Sequence, residues 1–146
     1  MPLPQGLSLS VEDQPSEEDR ETIDAALTEF NRRYLHDPAF GRIGIFLRDQ
    51  ARTVAAGLDA RFYAGWLSVK NLWVRADLRR HGIGRMLIEE AERQAKLRGC
   101  HSGWLDTFSF RAPEIYRRLG YEVFGVLDYP PDAKRFFLRK QLKEME

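Results

Sequence analysis

Cysteine is almost missing from this chain. Its 146 residues hold one, Cys100, beside only three histidines. One thiol cannot close an intramolecular disulfide. No Cys-His arrangement accompanies it, so nothing supports a covalent acyl-enzyme, and the thiol reads as structural. Charge of one sign is missing too: 23 Lys and Arg against 22 Asp and Glu leave a net charge of +1. That excludes a broad electrostatic footprint for nucleic acid or an anionic membrane, so any anion site must be local. No apolar run approaches the roughly 18–20 residues of a membrane-spanning helix. The start, Met-Pro-Leu-Pro-Gln-Gly, lacks the basic and then apolar pattern of a secretory signal. The expectation is a soluble, cytoplasmic protein. Solenoid-period repeats, low-complexity stretches and an evident internal linker are all lacking. What is present is ordinary for a globular chain, 43% hydrophobic and 31% charged, and residues 1–146 are expected to form a single domain.

The pattern of the chain is α/β. Leu7–Glu12 alternates apolar and polar residues, as a half-buried strand does. Ser16 before Glu17, Glu18 and Asp19 reads as a helix start, and Ile23, Ala26, Leu27, Phe30 and Tyr34 form one stripe, predicting a helix over 17–34 that ends before Asp37-Pro38. Residues 42–48 and 53–63 read as a hairpin turning at 49–52, and 66–74 as a β-branched and aromatic strand. Ile83, Leu87, Ala91 and Ala95 repeat every four residues up to Gly99, predicting a helix over 83–98 with Glu89/Arg93 and Glu92/Lys96 pairs on its outer face. A strand at 101–106, a short helix at 112–119 and strands at 122–127 and 136–142 complete a mixed sheet.

The segment richest in chemistry is Arg79-Arg80-His81-Gly82-Ile83-Gly84-Arg85. It follows a strand and opens a helix. Its two glycines let the backbone approach a ligand, and the helix start adds unpaired N–H donors and partial positive charge. Three arginines and a histidine crowd beside it, so a phosphate or pyrophosphate is the fitting guest. The Gly-x4-Gly-Lys-Ser/Thr of a nucleotide P-loop is absent, as is the third glycine of a dinucleotide fold.

These residues resemble the GNAT superfamily of acetyl-CoA-dependent N-acetyltransferases. Arg79-x-x-Gly82-x-Gly84 is similar to the family's coenzyme loop, and Ala112-Pro113-Glu114-Ile115-Tyr116-Arg117-Arg118-Leu119-Gly120-Tyr121 to its second block. The clear resemblance covers residues 66–121. Leu105–Phe110 and Phe136–Lys140 look like a recurring bacterial subgroup. The resemblance implies a mixed, mainly antiparallel sheet of six to seven strands flanked by helices, with acetyl-CoA as co-substrate and no metal.

It also implies roles. Backbone amides of residues 80–85, including His81, Ile83 and Gly84, would hold the coenzyme pyrophosphate, with charge from Arg79, Arg80 and Arg85. Trp73 and Val74 would lie along the pantetheine arm, with a backbone amide serving the developing oxyanion. Ser109 stands where the family often carries a coenzyme-binding Asn. Tyr116 matches the general acid that protonates the leaving thiolate. The strand where many members carry a Glu base has Lys70 and Asn71 instead, so the base is either Asp106, at the end of the fifth strand, or a water chain with no single base. Catalysis would come mostly from proximity in a ternary complex. The acceptor is expected to be the primary amine of a small molecule, with no nucleic acid or membrane partner, and a homodimer could form through the terminal strands. The missing Glu keeps a non-catalytic acyl-CoA-binding regulatory module as the alternative. Among the aromatics Tyr63, Trp66, Trp73, Phe108, Phe110 and Tyr129, a regular strand would point Trp66 and Trp73 to opposite sides, and Tyr129 reads as a loop contact for substrate.

Overall fold

The computed structural model describes residues 2–142, and the chain divides into two compact units, Met1–His36 and Asp37–Glu146. In the first unit, α1 spans Glu17–Asn31 and is capped as its sequence predicts: Ser16 Oγ accepts the Asp19 N–H at 3.1 Å, with three acids in the first turn. The helix stops three residues short of the expected Tyr34. Its end tightens instead, with Arg33 N–H bonding Phe30 O and Tyr34 N–H bonding Asn31 O. Residues 7–12 are not a strand. Alternation marks a strand only where another strand accepts its backbone groups, and these residues join no ladder.

The second unit carries six strands: β1 Gly41–Arg48, β2 Val54–Tyr63, β3 Trp66–Val74, β4 Ser102–Phe108, β5 Glu122–Tyr129 and β6 Ala133–Gln141. They order as β1-β2-β3-β4-β6-β5 in one sheet. Only β3 and β4 run parallel. The parallel pair needs a crossover, and α2, Ile83–Leu97, supplies it. A five-residue α3, Glu114–Arg118, joins β4 to β5. The architecture is thus α/β with a mainly antiparallel sheet, as the resemblance implies.

One core forms where α2 meets one face of the sheet. Leu87, Ile88, Ala91 and Ala95 of α2 pack with Leu58, Ala60 and Phe62 of β2, Leu67 and Val69 of β3, Leu105 of β4 and Leu138 of β6. The alternation along β2 explains this choice of face, because Ala56, Leu58, Ala60 and Phe62 are buried at every second position. The hairpin turns where predicted. Asp49 Oδ1 accepts the Thr53 N–H at 3.0 Å and Arg52 takes a left-handed φ of 66°. The β5–β6 turn is tighter than expected, since both strands extend to leave only Pro130-Pro131-Asp132 between them.

Candidate active site

The site begins with a break in the sheet. β3 and β4 pair only from Trp66–Val69 against Ser102–Leu105. Lys70–Val74 and Asp106–Phe108 run on without pairing to each other, which opens a cleft inside the sheet. The β2–β3 register shows the cause. It steps from Asp59↔Asn71 to Ala60↔Val69, so Lys70 is an extra, bulged residue, and a bulge bends the strand that carries it.

The bulge also changes which side chains share a face. Leu67 and Val69 face the core before it, while Leu72 and Val74 do so after it. Trp66 and Trp73 therefore lie on the same outer face, contrary to the parity of a regular strand. Trp73 is 50% exposed there. Phe46 is its neighbour across Gly57, lying so close over Gly57 and Gly44 that no side chain would fit beneath its ring.

At the open end, Val74 leads into a short 3-10 turn at Ala76–Leu78 and then into the coenzyme-like loop. Arg80 and Gly82 take left-handed φ angles of 67° and 76°. A Cβ on Gly82 would have nothing within 4 Å, so conformation, not crowding, favours glycine there. No side chain caps α2, and its first intrahelical bond runs from Met86 N–H to Gly82 O at 3.0 Å. The N–H groups of Ile83, Gly84 and Arg85 therefore have no partner within the helix. Gly84 sits against Leu72, its Cβ position 3.8 Å from Leu72 Cδ2, which ties the helix start to the unpaired half of β3.

The arginines around this start are not equivalent. Arg75 is held by Asp77 at 2.7 Å and Asp49 at 3.2 Å. The Asp77 bond holds its guanidinium pKa above the ordinary value, while Arg75 in turn lowers Asp77. Arg79 Nε donates to Val74 O at 3.0 Å, and Arg85 bonds Glu89 at 2.6 Å. Arg80 is exposed and has no hydrogen bond or ion pair among the described residues.

Tyr116 lies on α3, half-buried against the core. Burial pushes its phenol pKa up; Arg111 opposes the rise and the Asp106 carboxylate adds to it. Its carbonyl accepts the Tyr121 N–H at 3.0 Å. Tyr121 OH in turn donates to Glu92 Oε2 at 2.8 Å, and Lys140 Nζ donates to Glu92 Oε1 at 2.8 Å. The expected helix pairs are thus rearranged: Glu89 binds Arg85, Arg93 binds Glu90, and Glu92 turns inward. The reason is spacing, since Glu92 stands four residues after buried Ile88 and next to buried Ala91. Burial and the Glu92 carboxylate both hold the Tyr121 phenol far above its ordinary pKa.

Asp106 stands at the cleft's edge, on the unpaired part of β4. Its Oδ1 accepts the Arg135 Nε–H at 2.9 Å and pairs with Arg135 Nη2 at 2.8 Å. Arg135 was not foreseen, and the only signal for it is its register position opposite Phe108. Tyr129 is the last residue of β5 and not a loop residue; its hydroxyl accepts Arg135 Nη1 at 3.3 Å. Ser109 is tied to β6, its Oγ accepting the Lys134 N–H at 3.0 Å and its own N–H bonding Lys134 O. Among the described residues no group of three His, Cys, Asp or Glu could hold a metal, and no helix is long and apolar enough to cross a membrane.

The chain also matches known proteins. The family profile described as Acetyltransferase (GNAT) domain covers residues 39–123. The chain belongs to the GNAT acetyltransferases. It is an acetyltransferase enzyme by that membership and by its named relatives. It is 38% identical over 91 residues to the blasticidin-S acetyltransferase of Streptomyces morookaense, a match covering 61% of this chain and 67% of that one. It is 36% identical over 76 residues to the streptothricin acetyltransferase of Streptomyces lavendulae, covering 49% and 40%. Among solved structures, an acetyltransferase from Bacillus cereus superposes with a TM-score of 0.76 at 28% identity, covering 91% of this chain and 98% of that one.

Proposed function

We propose that this GNAT enzyme transfers the acetyl group of acetyl-CoA to the primary amine of a small molecule, by direct attack in a ternary complex. The observation that carries the proposal is the cleft between β3 and β4, with unpartnered helix N–H groups at its open end and Asp106 on the unpaired part of β4. The names of the relatives support a small-molecule acceptor, because two of them act on antibiotics.

The residues fit the coenzyme. The N–H groups of residues 83–85, the open space at Gly82 and the unpaired Arg80 suit a pyrophosphate. Arg79, bonded to Val74 O, and Arg85, paired with Glu89, add charge on the same loop, and His81 and Ile83 present backbone on it. The edge of β3 at Trp73 and Val74, which β4 leaves unpaired, would lie along an amide-bearing arm, with Val74 O already accepting from Arg79; Ser109 follows β4, its hydroxyl taken by Lys134 N–H. Acetyl-CoA, when bound, supplies an activated acyl group.

The chain's own residues do the rest. The cleft holds amine and thioester at attack distance, which is worth several kcal/mol of barrier. Tyr116 is protonated at neutral pH, as any phenol is, and burial raises its pKa further; its proton is thus in place for a departing thiolate. Asp106 meets the incoming ammonium and takes up its proton. Thiol release from acetyl-CoA across a panel of primary amines tests the proposal. Tyr116→Phe should lower kcat by about 10²–10³-fold. Unchanged turnover of Tyr116→Phe at every pH would remove the acid role, and no coenzyme binding would remove the whole reading.

A further inference from the structure

The cleft's outer face holds a charge pair whose geometry is unusually specific. Arg135 Nε donates to one oxygen of Asp106, Oδ1, at 2.9 Å, and its Nη2 lies 2.8 Å from the same oxygen as an ion pair. Oδ2 has no hydrogen bond among the described residues. The third nitrogen of Arg135 bonds Tyr129 OH, and the guanidinium lies 5.1 Å from the Phe137 ring centre and 5.8 Å from that of Phe108. A planar guanidinium held by a carboxylate, a hydroxyl and two rings has little freedom left. It therefore fixes the plane of the Asp106 carboxyl and decides which oxygen is free. Asp106 keeps 23% side-chain exposure, so that oxygen can be reached.

The neighbours are aromatic. Phe108 stacks on Phe110 at 5.2 Å and 14°, and Tyr129 meets Phe108 edge-on at 5.1 Å and 85°. Phe110 is 70% exposed, which leaves most of the outer ring uncovered. Stacked rings favour another flat ring over a puckered one of equal bulk, because quadrupoles align only between flat faces.

We infer that Arg135 is a positioning residue for the acceptor: it turns Asp106 Oδ2 toward the ammonium, while Phe108, Phe110 and Tyr129 select a primary amine carried on a planar ring. This rests on the proposed amine transfer and narrows its substrate class. Positioning and charge make opposite demands here. Without Arg135 the carboxylate loses a competing cation, so it attracts an ammonium no less, but presents it in the wrong place.

The test uses the full chain with acetyl-CoA and two probe amines, benzylamine and cyclohexylmethylamine, read by thiol release. The wild type should favour benzylamine about threefold to tenfold in kcat/KM. Arg135→Met should lower kcat for benzylamine about 10- to 100-fold, with KM for benzylamine unchanged or lower and KM for acetyl-CoA unchanged. Arg135→Lys should recover part of kcat, since an ammonium can reach Oδ1 but cannot fork. Phe110→Ala removes an exposed ring, leaves the fold intact and should abolish the ring preference. Equal use of both amines, or no turnover of either, overturns the ring selection. An unchanged kcat in Arg135→Met, or a raised amine KM at constant kcat, overturns the positioning role. Coenzyme affinity measured by calorimetry separates these results from failure of the underlying reaction, because loss of coenzyme binding condemns only the latter.

Discussion

Replacing Lys140 with methionine removes the cation from a carboxylate that has nowhere else to turn. Glu92 is 5% exposed, and its two oxygens are used by Lys140 Nζ and Tyr121 OH, each at 2.8 Å. Breaking a buried ion pair from one side costs about 3–5 kcal/mol. The Lys140 side chain is 22% exposed, so some water reaches the pair and the low end, about 3 kcal/mol, is expected. Tyr121→Phe leaves the ion pair in place and removes one hydrogen bond to a charged group, costing about 1.5–3 kcal/mol. Glu92→Gln preserves the shape and keeps an oxygen that can accept from either partner, so it should cost less than Lys140→Met. Against a total stability of about 5–15 kcal/mol, urea titrations resolve all three, with midpoint shifts at constant slope. The two partners share Glu92, so their effects should not add. A Lys140→Met variant within about 0.5 kcal/mol of wild type, the range of an inert surface change, would refute the reasoning. So would one less damaging than Tyr121→Phe.

The two raised tyrosines make stability pH-dependent at the alkaline end. Tyr116 and Tyr121 both hold their protons more tightly folded than unfolded. Their contribution is complete below about pH 10 and is lost above it, where the unfolded phenols ionise first. Unfolding free energy should fall by up to about 1.4 kcal/mol per pH unit for each phenol, and Tyr121→Phe should show a shallower fall in urea titrations at successive pH values. In the loop, Arg80→Gln should weaken coenzyme A binding about tenfold by calorimetry, because its charge is unclaimed. Arg75→Gln should leave that affinity unchanged, since Asp49 and Asp77 already hold this arginine. Gly82→Ala should also weaken coenzyme binding, because its φ of 76° is strained for alanine by about 1–2 kcal/mol.

How much of this was legible in the sequence depends on whether a feature is local. The start of α1 is a contact between Ser16 and Asp19, three residues apart, and such contacts can be read along the chain. The same holds for the four-residue repeat of α2 and for the loop from Arg79 to Arg85. The bulge at Lys70 was not legible, because no residue type announces an extra position in a strand. That one residue carried Trp66 and Trp73 to a common face and invalidated a parity argument sound for a regular strand. Glu92 looked like half of a surface pair with Lys96, but partners 29 and 48 residues away claimed it. Arg135 and Asp106 meet only because β4 and β6 lie side by side, a pairing that runs over a long stretch of chain. The strand expected at 7–12 failed for a related reason: alternation states what a segment could pair with, and only the sheet decides whether it does.

The parting of β3 and β4 has one further consequence. Proteins usually hide or blunt the edges of their sheets, because an exposed edge recruits foreign strands. Here a second kind of edge lies in the interior of the sheet, in the wedge where Lys70–Val74 and Asp106–Phe108 run on without pairing to each other. Whatever occupies that wedge finishes the ladder that the polypeptide leaves incomplete. A co-substrate bound there is also a piece of the fold, and at 100 times its Kd it would add about 2.7 kcal/mol to stability. The enzyme should therefore melt at a higher temperature when loaded, and its two half-sheets should be held together most firmly while it is poised to react.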